Sequence, residues 1–545
     1  MIDKLQIQEL TKLIGQDTLE TLKKIIPFIP DSGIQYPDDI YQKKNLVKIF
    51  LSFSGEDIFL KQEFRKQLLE RLSEAEIHQL ANRLKIDTQQ QFSALVDLIS
   101  KLQWSDNNET KIIVDFFKLP PSFIPYPKIN IPNIEHLEKP ESPYNALKDF
   151  QTDVFERSMD KMGYPLQTFL IQMPTGSGKT RTAMEIICTV LNRNPGKSII
   201  WLANSEELCE QAVESFKEVW EHIGQSDVDV IRAWGSNGLT VPIRTSFYVC
   251  GFSKLHSTFR RSPDLATILS KQLVLIVVDE AHQVVAPTYK KVVENLRSEN
   301  YSAHLIGLTA TPGRGNLQNE DTQLLIHYFS GNKIEISSGE KGVFEYLREK
   351  KILASIQKDP LKTNIIFNLT PKEKQYIKSH YDFPMEFLEN ISKNDDRNIA
   401  IVNKFKKECE LKKKILFFAG SVEQSKFICA TLNFLGFRAE HIDGSTKRNR
   451  RRNLVNEFKD GELNIICNFG VFTTGFDAPK IDVVFIARPT MSIVLYSQMV
   501  GRGLRGPAIG GKATCKLIDV IDNIETYNSP DNVYDYFEQY WEPYE

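Results

Sequence analysis

One eight-residue segment, 173–180, combines residue types that bind phosphate groups. Its sequence is MPTGSGKT, and it lies between the apolar run TFLIQ and the helical pattern KTRTAMEIICTVL. Glycines allow backbone N–H groups to turn inward around phosphates, and the following helix adds the positive end of its dipole. We expect Lys179 to bring a charge to the β- and γ-phosphates of a nucleotide and the Thr180 hydroxyl to ligate Mg²⁺. The predicted nucleotide contacts in this loop are Thr175, Gly176, Ser177, Gly178, Lys179 and Thr180.

Two adjacent carboxylates, Asp279 and Glu280, begin the sequence Asp-Glu-Ala-His that directly follows the apolar run LVLIVV. A carboxylate at the carboxyl end of a buried strand lies on the ligand edge of an open α/β sheet. We therefore expect Asp279 to hold Mg²⁺, directly or through water, and Glu280 to orient and deprotonate the water that attacks the γ-phosphate. Because the same series of strands carries the phosphate loop, the two elements together predict a nucleotide-hydrolysing site.

A third element, QMVGRGLR at 498–505, lies far along the chain. A helix that begins near Ser492 would place Gln498, Arg502 and Arg505 on related faces, because residues three and four apart are neighbours on a helix. Arginine stays charged and binds phosphate through two N–H groups. Placed across a cleft from Lys179, such residues would act as arginine fingers. The alternative, a surface helix with salt bridges, accounts less well for the Gly-Arg-Gly break.

Two series of short apolar runs supply the strands that must position these residues. The first series is TFLIQM, SIIWLA, SFYVC, LVLIVVD and HLIGLTA, and the second is KKILFFAG, RAEHIDG, LNIICN, VVFIARP and ATCKLIDV. Such runs, alternating with helical patterns, are typical of buried parallel strands. The predicted fold class is therefore α/β, with two tandem parallel-sheet lobes and a cleft between them. The stretch 320–411 between the two series is predicted to be mostly helical.

The chain before the first series divides at a proline-rich segment. Stretches such as KQEFRKQLLERLSEAEIHQLANRL have apolar residues at three- and four-residue spacing, which predicts an all-α domain. Seven prolines between Lys118 and Asn145 exclude a helix interior or a central strand there. The C-terminal end is acidic and aromatic, and we expect it to pack on the second lobe. The predicted parts are a helical domain 1–118, a Pro-rich linker 119–145, a first lobe 146–350, a second lobe 351–520 and a tail 521–545.

The composition predicts a globular protein without a membrane span or a zinc site. Of 545 residues, 41% are hydrophobic, and no apolar run reaches the roughly 18 residues needed to cross a bilayer. The seven cysteines form no C-x-x-C pair and have no histidine at ligand spacing, so we expect buried, reduced thiols in a cytoplasmic protein. With 68 basic and 70 acidic residues the net charge is −2, so any basic contact with nucleic acid must be local.

In this order, the three elements resemble the motifs of superfamily 2 helicases of the DEAD/DEAH-box type. Further motifs that carry the resemblance are LKDFQ at 147–151, ANSEEL at 203–208, TATP at 309–312, DGST at 443–446 and TTGFDAP at 473–479. The run RPTMSIVLYSQMVGRGLR is similar to the RadD/XPB-like and type I restriction motor branch. The resemblance departs at Met173, where the general pattern has glycine. It implies two RecA-like lobes that hydrolyse ATP with Mg²⁺ in the cleft.

The resemblance also implies roles for residues outside the three elements. Gln151 would contact adenine, and Asp477 would contact the ribose or a water beside it. Thr309 and Thr311 would couple hydrolysis to nucleic-acid contact, and His282 would bridge the two lobes near this pair.

Five positions match the family loops that give backbone N–H groups and hydroxyls to phosphates without reading sequence. These positions are Ser205, Gly251, Ser445, Thr446 and Thr473. The run KRNRRR at 447–452 has five cations in six residues, and we expect Arg448, Arg450 and Arg452 to contact phosphates. The alternative for this run is a solvated helix start, and Arg314 is a weaker candidate.

The sequence leaves three functions open. The first is an ATP-dependent translocase or helicase on DNA, in repair or anti-phage defence, with a separate nuclease or effector protein as partner. The second is an ATP-switched clamp or sensor that recruits a partner without unwinding. The third is an RNA helicase. The preference for DNA follows from the resemblance to the restriction and repair branch, not from the residues themselves.

Overall fold

Two parallel sheets covered by helices dominate the structure, which is a computed structural model. It describes residues 59–119, 123–125, 134–137, 144–298, 303–311, 320–339, 341–380, 382–472 and 480–524. Four helices precede the first sheet within these ranges, namely α1 (Gln62–Leu69), α2 (Glu74–Arg83), α3 (Phe92–Ser100) and α4 (Asn108–Phe116). The predicted α/β class, with two RecA-like lobes after an all-α region, is therefore confirmed.

Local capping fixes two of the four N-terminal helices. Ser73 and Glu76 form a reciprocal capping box at the start of α2, and the Asn107 side chain accepts from the Thr110 N–H at the start of α4. The buried Arg65 guanidinium holds the group together by donating to the carbonyls of Phe59 and Ser100. The apolar core of α1–α4 is continuous with one face of the second sheet, so this helical module packs on the second lobe.

The first sheet has eight strands. They are β1 (Ile134–Leu137), β2 (Thr168–Gln172), β3 (Ser198–Ala203), β4 (Val228–Ala233), β5 (Ser246–Gly251), β6 (Leu273–Val278), β7 (His304–Thr309) and β8 (Lys333–Glu335). Their order across the sheet is β1-β4-β5-β3-β6-β7-β2-β8, and all pairs except β1–β4 are parallel. Strands β3 and β4 are buried along their whole length, because helices cover both faces of the sheet.

The helices of the first lobe follow its strands. They are α5 (Asp149–Met162), α6 (Lys179–Arg193), α7 (Glu206–Ile223), α8 (Phe252–Arg261), α9 (Pro263–Gln272), α10 (Pro287–Arg297), α11 (Glu320–Tyr328) and α12 (Val343–Glu349). Parallel connections of this kind bring the carboxyl ends of β2, β3, β6 and β7 to one edge of the sheet.

The second sheet has seven strands. They are β9 (Ser355–Lys358), β10 (Leu361–Phe367), β11 (Ile415–Phe418), β12 (Ala439–Ile442), β13 (Ile465–Asn468), β14 (Val483–Ile486) and β15 (Thr514–Ile524). The order is β10-β15-β14-β11-β13-β12, with β9 also paired to β15, and every pair is parallel. Its helices are α13 (Pro371–His380), α14 (Met385–Ser392), α15 (Asp395–Cys409), α16 (Val422–Phe434), α17 (Arg448–Asp460) and α18 (Ile493–Val500).

The stretch 320–411 is mostly helical, as predicted, but it also contains β8, β9 and β10, which were not predicted. These strands are short or lie toward the sheet edges, and their sequences are more polar than those of the buried central strands. The proline-rich linker also contributes the edge strand β1, which pairs antiparallel with β4. The predicted tail beyond 524 lies outside the described residues.

All seven cysteines are buried thiols, and none is in a disulfide. Within the described part of the chain, no helix combines the length and apolar character that a bilayer span requires.

Candidate functional site

The phosphate loop lies between the carboxyl end of β2 and the first residue of α6, Lys179. Gly176 and Gly178 have φ values of +85° and +88°, which side chains with a Cβ rarely adopt. A Cβ on Gly178 would also lie 2.2 Å from Nε2 of Gln151, so this position has no room for one. Met173, the departure from the general pattern, is fully buried in the apolar core. Its side chain is therefore directed into the core of the first lobe.

Gln151 binds the loop itself. Its buried side-chain amide donates to the carbonyls of Ser177, at 3.3 Å, and Gly178, at 3.5 Å, while its oxygen accepts from the Lys148 N–H at 3.0 Å. The side chain thus connects the start of α5 to the phosphate loop. Any contact of Gln151 with a base would therefore be transmitted directly to the loop backbone.

Asp279 and Glu280 follow β6 and face the loop across the edge of the sheet. The Nζ of Lys179 lies 3.8 Å from Oε1 of Glu280, and both side chains are largely buried. Oδ1 of Asp279 accepts from the Glu280 N–H at 2.9 Å. Glu280 has a φ of +48°, a strained conformation for a residue with a side chain, and such strain is concentrated at functional sites.

The two carboxylates ionise differently because their surroundings differ. Burial raises the pKa of Asp279 to about 7, against the opposing attraction of Lys179. Burial also disfavours the charged form of Glu280, but Lys179, His282 and Arg502, together with a hydrogen bond from Gln498, outweigh it and hold its pKa below the ordinary value. Glu280 is therefore an ionised carboxylate near a cationic cluster, which is the state a general base requires.

A short polar chain leads from Glu280 to the end of β7. The Nδ1 of His282 lies 3.5 Å from Oε2 of Glu280 and 3.2 Å from Oγ1 of Thr309. Oγ1 of Thr309 in turn donates to the carbonyl of Thr311 and accepts from the Thr311 N–H. His282, Thr309 and Thr311, the residues expected to couple the site to nucleic acid, are thus connected by hydrogen bonds within the first lobe. His282 contacts Thr309 of its own lobe, and the bridge to the second lobe expected of His282 stays a prediction.

The second lobe brings Gln498 and Arg502 to the same carboxylates. Gln498 is buried and forms a hydrogen bond to Glu280, and the charge of Arg502 acts on both Asp279 and Glu280. The helix predicted to begin near Ser492 does not carry Arg502 and Arg505, because α18 ends at Val500 and Gly501–Gly503, where the sequence indicated a break, form a 3-10 turn. Arg505 follows this turn and packs its Cγ near Gly176 of the phosphate loop.

The Gly-Arg-Gly sequence serves close packing on both of its sides. A Cβ on Gly501 would lie 2.5 Å from Cγ2 of Thr175 in the phosphate loop. A Cβ on Gly503 would lie 2.4 Å from Sγ of Cys515 on β15. The turn that carries Arg502 is therefore held between the loop of one lobe and the sheet of the other. The sequence signal for this was the pair of glycines, which indicated a helix break but not which surfaces they touch.

The predicted nucleic-acid positions lie at the carboxyl ends of strands in both lobes. Ser205 caps α7, with its Oγ accepting from the Leu208 N–H, and Gly251 ends β5. Ser445 and Thr446 follow β12, but their hydroxyls and N–H groups donate to Oδ1 of Asp443. The donors expected to bind phosphate are therefore already held by a carboxylate of the same loop, which sequence reasoning did not identify.

The basic run is also partly occupied by the protein's own acids. Arg450 pairs with Glu440 at 3.4 Å. Arg451, which was not a predicted contact, donates to the Asp443 carbonyl and forms an ion pair with Glu207 of the first lobe. Arg452 is exposed. The side chain of Arg448 and the residues Thr473, Asp477 and Arg314 lie outside the described part of the structure.

Two sequence-family profiles match the chain. The family "Type III restriction enzyme, res subunit" matches residues 145–314, and "Helicase conserved C-terminal domain" matches residues 385–506. The first match contains the phosphate loop, Glu280 and Thr309, and the second contains Gln498 and Arg502. The residues that meet in the cleft therefore come from two separately matched regions.

Curated relatives match most of this chain. A 51.5 kDa protein of a Lactococcus phage (isolate 7-9) is 28% identical over 375 residues, which are 68% of this chain and 70% of that protein. IRC3 of Saccharomyces cerevisiae, assigned as an ATP-dependent helicase, is 24% identical over 396 residues, 69% of this chain and 51% of that protein. The match thus spans about half the length of IRC3.

A solved structure shows the same fold. The ATP-dependent Type ISP restriction-modification enzyme LlaBIII bound to DNA aligns with 74% of this chain and 29% of its own, at a TM-score of 0.50 and 15% identity. At that identity the similarity indicates a shared two-lobe architecture.

Proposed function

The chain belongs to helicase superfamily 2, and from this premise we propose that it is an ATP-dependent translocase or helicase that acts on DNA. One observation carries the proposal. Lys179 of the first lobe and Gln498 and Arg502 of the second lobe all act on the carboxylates of Asp279 and Glu280, Gln498 on that of Glu280. A site divided between two lobes is complete only when the lobes close. ATP hydrolysis would therefore be coupled to the movement of the lobes.

The roles proposed for the residues follow from their positions. The N–H groups of the phosphate loop and Lys179 would bind the phosphates of ATP, and Gln151 would contact its adenine. Glu280 would accept the proton of the attacking water, because its pKa is held low by the neighbouring cations. Gln498 orients this carboxylate by a hydrogen bond, and Arg502 would stabilise the negative charge that develops on the transferred phosphate.

The residues beside the loop also fit a Mg²⁺ ion. The raised pKa of Asp279 indicates that the nearby cations do not fully offset its loss of hydration. The Asp279 carboxylate and the Thr180 hydroxyl are oxygen ligands of the kind that Mg²⁺ prefers. When bound, the ion would neutralise charge on the β- and γ-phosphates.

The lobes proposed here are the segments 146–350 and 351–520, and the DNA strand would lie across the ends of β3, β5 and β12. Phosphate contacts through Ser205, Gly251, Ser445, Thr446 and Thr473 would be independent of sequence. The match to a restriction-enzyme subunit and the fold shared with a DNA-bound restriction enzyme support DNA over RNA. The same similarity supports a setting in repair or anti-phage defence, with a nuclease or effector protein as partner.

Strand displacement on a tailed DNA duplex, measured beside ATP hydrolysis, tests the proposal. We expect single-stranded DNA to stimulate hydrolysis and the protein to displace the paired strand in an ATP-dependent manner. Stimulated hydrolysis without strand displacement would contradict a helicase and leave two possibilities, a translocase or an ATP-switched clamp. An assay of movement along single-stranded DNA would distinguish these two, because only the translocase moves. Stronger stimulation by RNA than by DNA, measured in parallel, would contradict the preference for DNA.

A further inference from the structure

Two helices, α13 and α14, lie directly beside the segment that leads into α18. Because α18 carries Gln498 and precedes Arg502, we call it the finger helix. Helices α13 and α14 share an apolar core that includes Ile377, Phe387 and Ile391. Met491, which precedes α18, packs against this core. This helix pair therefore touches the part of the second lobe that leads to Gln498 and Arg502.

Asp382, between α13 and α14, makes three polar contacts with this segment. Its Oδ1 accepts from the Thr490 hydroxyl at 2.9 Å and from the Met491 N–H at 3.1 Å. Its Oδ2 lies 3.3 Å from Nη2 of Arg488. The Asp382 side chain is only 21% exposed, so water screens these contacts less than it would at the surface.

The contacts continue into the first turn of α18. Oγ1 of Thr490 accepts from the Ser492 N–H at 3.0 Å, and Oγ of Ser492 caps α18 by accepting from the Leu495 N–H at 3.2 Å. A series of hydrogen bonds therefore connects Asp382, through Thr490 and Ser492, to the helix that carries Gln498.

We propose that Asp382 is a positioning residue for ATP hydrolysis, which sets the orientation of the finger helix and thereby of Gln498 and Arg502 against Glu280. The inference rests on the proposed function, because the reaction it affects is ATP hydrolysis in the cleft. Asp382 lies on the connection between α13 and α14, outside both sheets. The orientation of the finger helix is thus determined partly by an element that no motif contains.

Reaction kinetics separate positioning from binding. In Asp382→Ala we expect kcat for ATP hydrolysis to fall about tenfold or more, because small misplacements of catalytic groups are costly. The KM for ATP should stay within about twofold of the wild-type value, because the phosphate loop belongs to the other lobe. Asp382→Asn keeps an acceptor for Thr490 and Met491 and should retain most of the activity. Glu389→Ala removes an exposed acid of α14 and serves as the matched control.

Hydrogen–deuterium exchange of residues 488–500 gives a second measurement that does not depend on activity. Faster exchange there in Asp382→Ala, but not in Glu389→Ala, is expected. Wild-type kcat and unchanged exchange in Asp382→Ala would overturn the proposal, as would a loss confined to KM. If the wild-type protein did not hydrolyse ATP, the proposed function would fail, and unchanged exchange would still separately refute the structural role of Asp382.

Discussion

The two edges of the interlobe cleft are built differently. On the nucleotide edge, the groups that would act on a substrate already face one another across the lobes, with Lys179 and Gln498 both directed at Glu280. On the edge predicted for nucleic acid, the donors of Ser445 and Thr446 are bound by Asp443 of their own loop. The first edge is therefore organised in advance, whereas the donors of the second would have to exchange internal hydrogen bonds for contacts with phosphates.

This difference is consistent with a protein that releases its nucleic-acid strand in every cycle of ATP hydrolysis. A contact with phosphate that replaces an internal hydrogen bond contributes only the difference in free energy between the two hydrogen bonds. Such a contact is therefore weak and reversible. Charges that cluster in a buried site interact strongly because water screens them little. The near-zero net charge of the chain agrees with this division, because neither edge depends on a globally basic surface.

The largest effect is expected at the nucleotide edge. Glu280→Gln removes the proton acceptor but keeps the size of the side chain, so hydrolysis should fall by roughly 10²- to 10⁴-fold. Binding of nucleotide and of DNA should persist, measured by fluorescence with labelled ligands. Lys179→Ala should also abolish hydrolysis, but with weakened nucleotide binding. Robust ATP hydrolysis by Glu280→Gln would contradict the role of Glu280 as the general base.

The next effect concerns the contact of the two lobes. In Gly501→Ala the new methyl group would meet Thr175, which should hold the lobes apart and lower kcat by about 10- to 100-fold. Gly238→Ala is a suitable control, because a Cβ there meets nothing within 4 Å. Equal kcat values for the two variants would show that the lobes need not approach this closely for hydrolysis.

An intermediate effect is expected from the ion pair that joins the lobes on the other edge. Glu207→Arg and Arg451→Glu should each weaken DNA-stimulated hydrolysis, and the double exchange should restore part of it, with a coupling of about 1 kcal/mol. The control is the same exchange at Arg438 and Glu457, which pair within the second lobe. Strictly additive effects of Glu207→Arg and Arg451→Glu would mean that closure does not use this pair.

Smaller effects should distinguish the arginines of the basic run. Arg452 is exposed, so Arg452→Ala should weaken DNA binding and reduce the slope of log affinity against log salt by about 1. Arg450 pairs with Glu440, so Arg450→Ala should change the slope less. Titrations of labelled DNA at several salt concentrations measure both. Unchanged binding in Arg448, Arg450 and Arg452 variants would identify the run as a solvated helix start.

The smallest effect concerns the buried pair that ties α18 to its own sheet. Tyr496 donates to Asp519 at 2.6 Å, and burial raises the pKa of Asp519 to about 7. A carboxyl whose pKa is raised on folding stabilises the protein below its unfolded pKa, and this contribution is lost as pH rises through about 7. Asp519→Asn does not titrate, so its Tm relative to wild type should rise by about 2 °C or more between pH 5 and pH 8. A pH-independent difference would contradict the buried, neutral state of Asp519.

The sequence was sufficient for features that depend on local patterns. The apolar runs predicted the parallel strands, and the glycines and Lys179 predicted the loop that follows β2. The glycines at 501 and 503 indicated a break in the helix, but helical spacing alone does not show that Gly501 packs against Thr175. Strands β9 and β10 were missed because they are partly exposed and lack a continuous apolar run.

The partners of the nucleic-acid loops could not be predicted for a similar reason. Asp443 is part of a recognised motif, but nothing in the sequence shows that its carboxylate binds the donors of Ser445 and Thr446. The ion pair of Arg451 with Glu207 joins residues of different lobes, and the contacts of Asp382 join residues more than 100 positions apart in sequence. Such long-range contacts follow from tertiary structure and leave no local pattern.

The rate of ATP hydrolysis with and without single-stranded DNA, compared between wild type and Arg502→Ala, tests whether the two lobes form one site. We predict that DNA stimulates the wild-type rate and that Arg502→Ala loses about 10³-fold or more of the stimulated rate while still binding nucleotide. A wild-type rate that is indifferent to DNA, or an Arg502→Ala variant with the wild-type rate, would contradict a DNA-dependent ATPase whose site spans both lobes.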